Sequence, residues 1–119
     1  MHDAQSIVLR YIATWNEADA ARRRALVGQT FTEDATYTDP IASVRGHGAL
    51  DQLIAAAQAQ FGGLQFSLAG GVDAHHDQVR FTWQLGLEDP PVIGFDVAIL
   101  DDGRIRSVYG FLDKVPVLT

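Results

Sequence analysis

Val79-Arg80-Phe81-Thr82-Trp83-Gln84-Leu85-Gly86-Leu87 decides the fold class. Large apolar side chains occupy every odd position, and Arg80, Thr82, Gln84 and Gly86 fall between them. That period of two marks a β-strand with one buried face. Working outward, Asp89-Pro90-Pro91 makes a turn, Val92 to Leu100 a second strand, Asp101-Asp102-Gly103 a hairpin turn, and Ile105 to Asp113 a final strand. Upstream, His75-His76-Asp77 reads as a turn and Leu64 to Ala69 as a short strand. The first half has a different period. Val8, Tyr11, Ile12 and Trp15 follow the i, i+3, i+4, i+7 spacing of one helical face, predicting a helix from Ala4 to Asn16. Asp19 is a good N-cap for a second helix to about Val27, which Gly28 would end. Thr30 to Asp39 reads as extended, Gly46 and Gly48 bracket a turn, and a third helix runs from about Ala49 to Phe61, stopped by Gly62-Gly63. Helices first and an antiparallel meander last predict an α+β fold.

The remaining sequence-level features narrow the function classes. A chain of 119 residues fits one domain, 1–119, large enough to bury a core without staples. There is no cysteine, hence no disulfide framework or thiol chemistry. No apolar run reaches the roughly 20 residues that span a bilayer, and Met1-His2-Asp3-Ala4-Gln5 lacks the basic start of a signal peptide. These features fit a cytoplasmic protein without a membrane partner. A net charge of −6 disfavours nucleic acid. Arg22-Arg23-Arg24, the basic cluster, reads as a solvated helix face.

Tyr11-Ile12-Ala13-Thr14-Trp15-Asn16-Glu17-Ala18-Asp19 resembles the first helix of the nuclear-transport-factor-2-like superfamily, which includes the SnoaL-like proteins. Phe31 to Pro40 is similar to its first strand, Arg45-Gly46-His47-Gly48-Ala49-Leu50 to the loop entering its third helix, and Phe95 to Ile105 to its final hairpin. The resemblance spans nearly the whole chain in the right order. It implies a cone: N-terminal helices packed on a curved antiparallel sheet that encloses an apolar pocket. Many functions share that fold. Within it the chain most resembles the ketosteroid isomerases, whose first-helix tyrosine, general-base aspartate after the first strand and aspartic acid on the penultimate strand match Tyr11, Asp39 and Asp96. The resemblance implies cofactor-independent enolisation of an apolar cyclic carbonyl compound, with Asp39 as base and Tyr11 and Asp96 as oxyanion donors.

Each of these residues has a plainer reading. Asp39 precedes Pro40, and aspartates there cap local backbone N–H groups. Asp96 lies in an otherwise apolar strand, where a carboxyl is costly unless paired or neutral, or else its face meets solvent. Tyr11 shares a face with Val8, Ile12 and Trp15 and could be core with its hydroxyl at the edge. Trp15, Tyr37, Leu53, Phe81, Trp83 and Leu85 are the candidate walls of a pocket for a small apolar organic ligand, and could equally be core. His75 and His76 fit an exposed turn better than a metal site, so neither metal nor cofactor is expected.

The last strand reads as apolar on both faces, with Ile105, Tyr109 and Phe111 on one and Val108 and Leu112 on the other; one face would suit a homodimer. Three alternatives to isomerase chemistry are implied by the same resemblance. One is a polyketide cyclase, which would want an Asp/His combination. Another is an epoxide hydrolase, which would want an arginine that Arg80, alternating with Phe81 and Trp83, does not supply. The third is a non-catalytic ligand-binding or interaction domain.

Overall fold

The structure is a computed structural model and describes residues 3–116. Three helices, α1 (Ala4–Asn16), α2 (Ala20–Thr30) and α3 (His47–Gln60), pack on a seven-stranded sheet of β1 (Phe31–Thr38), β2 (Ser43–Arg45), β3 (Phe66–Leu68), β4 (Asp73–His75), β5 (Gln78–Leu85), β6 (Val92–Asp101) and β7 (Arg104–Lys114). The strand order is β2-β1-β7-β6-β5-β3, with β4 paired to β5. Pairings are antiparallel except one: β1 runs parallel to β7, because the chain crosses the whole sheet between them. Among the described residues no helix is long and apolar enough to cross a membrane.

Local chemistry accounts for most element boundaries. The carboxylates of Asp3 and Asp19 accept from the backbone N–H groups of Gln5 and Arg22 and so cap α1 and α2. The exposed Asp102 and Gly103 both take positive φ in the β6–β7 hairpin turn. The Asn16 side chain both donates to the Phe66 carbonyl and accepts from its N–H, fixing β3 against the end of α1.

Three expectations fail for tertiary reasons. Gly28 does not end α2; the helix runs on to Thr30, whose buried hydroxyl meets that of Thr14 at 3.3 Å, and Val27 is buried beside it. A Cβ at Gly28 would meet nothing within 4 Å, so Gly28→Ala should stabilise the protein by about 0.5–1 kcal/mol. A urea midpoint at or below wild type would contradict this. Arg23 is not solvated. It is 6% exposed, pairs with Asp51 at 2.7 Å and donates to the Gln58 side chain, so it ties α2 to α3. Only its neighbours Arg22 and Arg24 are exposed.

The third failure is in β7. Ile99 pairs with Ser107 but Leu100 with Ile105, so a bulge falls at Arg106. The extra residue turns Ile105 inward with Val108, and leaves Tyr109 and Phe111 together on the outer face. The sequence alternation had put Ile105 on their side.

Candidate functional site

Helices α1 and α3 and the inner face of the sheet surround a cavity of about 430 Å3. Tyr11, Asp39 and Asp96 all line it, together with five of the six proposed wall residues: Trp15, Tyr37, Leu53, Trp83 and Leu85. Phe81 does not. It pairs with Asp96 across β5 and β6, is buried, and packs edge-on against the Tyr11 ring at 5.6 Å.

The register explains why two aspartates meet here. Gly110 of β7 is the cross-strand partner of Asp96, and Thr38 pairs with Tyr109 on the other side, which brings Asp39 alongside Gly110. A Cβ at Gly110 would stand 2.9 Å from Asp96 Oδ1 and 3.2 Å from Asp39 Cβ. Glycine therefore supplies the space in which the two carboxyl groups approach each other. Gly94 does the same for Trp83, whose indole lies across it at a distance no β-carbon would permit.

Asp96 is 1% exposed. Its Oδ2 accepts a 2.8 Å hydrogen bond from the Tyr11 hydroxyl, and its Oδ1 has no hydrogen-bond partner. Burial raises its pKa to about 6; the Tyr11 hydroxyl and the nearby Trp83 indole oppose the shift, and the Asp39 charge adds to it. Burial also raises the pKa of Tyr11 and of Tyr37, with the aspartates adding to the effect, so both phenols stay protonated.

Asp39 is differently placed. Its Oδ1 accepts from the backbone N–H groups of Ile41 and Ala42, each at 2.8 Å, and its Oδ2 accepts from the Tyr37 hydroxyl at 2.7 Å. Asp39 thus caps its own loop and lines the cavity at once; the two sequence readings are both realised. The carboxyl groups are distinct in kind: one is tied by three donors, and the other is buried with a free oxygen.

The sequence reading missed much of the cavity wall. Beyond the expected Leu53, its stripe of α3 continues through Ala56, Ala57 and Gln60 to Phe61 at the C-cap, at i+3, i+4, i+7 and i+8 from Leu53. That spacing was legible, and the two alanines leave room for the cavity. Phe66, Val92 and Leu112 come from β3, β6 and β7, and Val115 follows β7; nothing local marks them. Ile41 lines the mouth while 81% exposed. His47 is turned away, its Nε2 lying 3.0 Å from the carbonyls of Phe31 and Thr32. His75 and His76 sit at the exposed β4–β5 turn. Among the described residues no group of three or more metal-ligating side chains is assembled.

The SnoaL-like domain profile matches residues 8–108. The chain belongs to the SnoaL-like family. A crystal structure from Agrobacterium tumefaciens, provisionally described as an isomerase of that family, is 42% identical over 92% of this chain and 96% of its own, with a TM-score of 0.86. A protein from Kribbella flavida provisionally described as a ketosteroid isomerase shares the fold at 18% identity and a TM-score of 0.71, covering 96% of this chain and 80% of its own. So does one from Sinorhizobium meliloti, provisionally described as a polyketide cyclase, at 19% identity and a TM-score of 0.68, covering 88% and 93%. No functionally curated protein matches the sequence. This SnoaL-like protein therefore has the cone-shaped α+β architecture expected of it, and its fold neighbours include proteins described as isomerases and as a cyclase.

Proposed function

We propose that this protein catalyses cofactor-independent proton transfer next to the carbonyl of a small, uncharged, apolar cyclic compound. The observation that carries this reading is the presence of Asp39 and the Tyr11-bonded Asp96 together in one largely apolar cavity. Asp39, at the side of the cavity, is the base. Asp96 in its protonated form donates from Oδ1 to the developing enolate oxygen, where burial makes such a bond strong. Tyr11 donates to Asp96 Oδ2 and so orients that acid; to donate directly to substrate it must first leave this bond. The 42%-identical relative described as an isomerase supports the reaction class.

The test is proton exchange. The protein should accelerate deuterium uptake at the α-carbons of a cyclic ketone, read by mass spectrometry. Uptake at the buffer rate across a panel of mono- and bicyclic ketones would sink the proposal.

A second reading is favoured by one observation. Asp39 Oδ1 is occupied by two loop N–H groups, as in a purely structural cap. It makes the cavity a binding site without turnover, giving saturable ligand binding but no exchange. Epoxide hydrolysis is not supported, because Arg80 pairs with Asp73 on the exposed surface and lies outside the cavity. Histidine-assisted cyclisation lacks its histidine, since none lines the cavity.

The same proposal includes a homodimer. Tyr109 and Phe111 are 48% and 56% exposed on the outer sheet face, opposite Val97 and Phe95 respectively, and a second copy would cover that row. Light scattering at micromolar concentration should give twice the chain mass, and Phe111→Lys should halve it. A wild-type monomer contradicts the dimer.

A further inference from the structure

The cavity has a charge imbalance that proton transfer does not require. Asp39 and Asp96 both line it, yet its lining includes no lysine, arginine or histidine. Neither carboxyl belongs to any of the ion pairs formed among the described residues. Asp96 is the more exposed to this deficit in energetic terms: it is buried, and its Oδ1 has no hydrogen-bond partner. A buried carboxylate without a counter-charge is costly.

Beside the two carboxyl groups stands an aromatic wall. Trp15 meets Tyr37 at 5.6 Å and Phe66 at 5.5 Å between ring centroids, and Phe66 meets Trp83 at 5.3 Å. All four line the cavity. Aromatic faces carry negative potential and attract cations, most strongly when water is excluded. Rings and carboxylates thus act in the same direction. An anionic ligand would meet no positive group. A neutral one suits Asp96 only in its protonated form and would leave the ionised carboxylate uncompensated. An ammonium group on an apolar body would supply the missing charge and lie against the rings.

We propose that the cavity binds small lipophilic organic cations, protonated or quaternary amines, with the ammonium beside Asp39 and Asp96 and against the wall of Trp15, Tyr37, Phe66 and Trp83. Such a ligand would compete with a carbonyl substrate, but its binding does not depend on turnover. The titratable groups facing Asp96 are Tyr11 from α1, Tyr37 from β1 and Asp39 just after it; β5 contributes Trp83 and β7 contributes Gly110, neither of which titrates. A cation favours ionised Asp96, so its affinity should rise as pH rises through about 6. A carbonyl ligand favours the protonated acid and should show the opposite slope.

The experiment is a titration followed by tryptophan fluorescence, since Trp15 and Trp83 line the cavity. The probes are benzyltrimethylammonium, its neutral carbon isostere neopentylbenzene, and the anion phenylacetate. At about pH 8 the cation should bind roughly tenfold tighter than the isostere, lose several-fold of that preference at about pH 5, and phenylacetate should not saturate. Asp96→Asn and Asp39→Asn should each reduce the preference for the cation over neopentylbenzene. The second variant keeps the test decisive should the first not fold. A cation that binds no tighter than its isostere, a preference indifferent to pH and to both substitutions, or no binding at all would overturn the proposal. Absence of ketone exchange in the wild type would leave it standing, so failure of the two readings can be told apart.

Discussion

Asp39→Asn should lower turnover on an enolisable ketone by about two to four orders of magnitude, the usual worth of a positioned general base. The amide keeps the shape of the carboxyl group. Its oxygen can still accept from the N–H groups of Ile41 and Ala42, and its NH2 can donate to the Tyr37 oxygen, so the loop and fold should survive. Only the capacity to take a proton is lost. The expected signature is a fall in kcat with little change in KM, and an unchanged denaturation midpoint. In the wild type, kcat/KM should fall as pH rises through about 6, because Asp96 there loses the proton it offers to the enolate oxygen. A variant that turns over ketone at the wild-type rate would reduce Asp39 to a loop cap.

Asp96→Asn should have the second large effect, and on stability it runs in the opposite direction. The folded pKa of Asp96, about 6, lies above its ordinary value of 3.8. A carboxyl group raised in this way contributes its full share of stability below the lower value and loses it as pH climbs through the upper one. At about pH 8 the ionised, buried form therefore costs the folded protein about 3 kcal/mol, since each tenfold change in an acid dissociation constant is worth about 1.4 kcal/mol. Asparagine cannot ionise and still accepts from Tyr11. The variant should be more stable than wild type by up to that amount at about pH 8, with the gain vanishing near pH 4. Urea denaturation at the two pH values checks it. A variant destabilised equally at both would mean that the carboxylate is compensated by something other than Tyr11 and Trp83.

Most elements were legible because their signals are local; the three-residue strands β2 and β4 were not. Alternation from Val79 to Leu87 needs no knowledge of the partner strand to mark a strand, and Val8, Tyr11, Ile12 and Trp15 define one helical face by spacing alone. The order of those elements, matched to a family pattern, was enough for the cone. The positions of Asp39 and Asp96 at strand end and mid-strand were also legible, and both line the cavity. Their relation was not.

What the sequence determined by itself was therefore the α+β architecture, most strand and helix spans, and a short set of polar residues whose place in apolar segments needed a reason. What only the tertiary structure decided was everything that depends on two distant segments meeting. The parallel β1–β7 register sets Gly110 between the Asp96 carboxyl group and the Asp39 side chain. The bulge at Arg106 reverses which face Ile105 occupies. The Thr14–Thr30 contact carries α2 through Gly28, and Asp51 and Gln58 draw Arg23 out of solvent. In each case a local preference worth a fraction of a kcal/mol to about 1 kcal/mol gives way to burial, pairing or hydrogen bonding with residues far along the chain. The partially free carboxyl of Asp96 is the extreme case: its raised pKa comes from being enclosed, and enclosure is a property of the folded molecule.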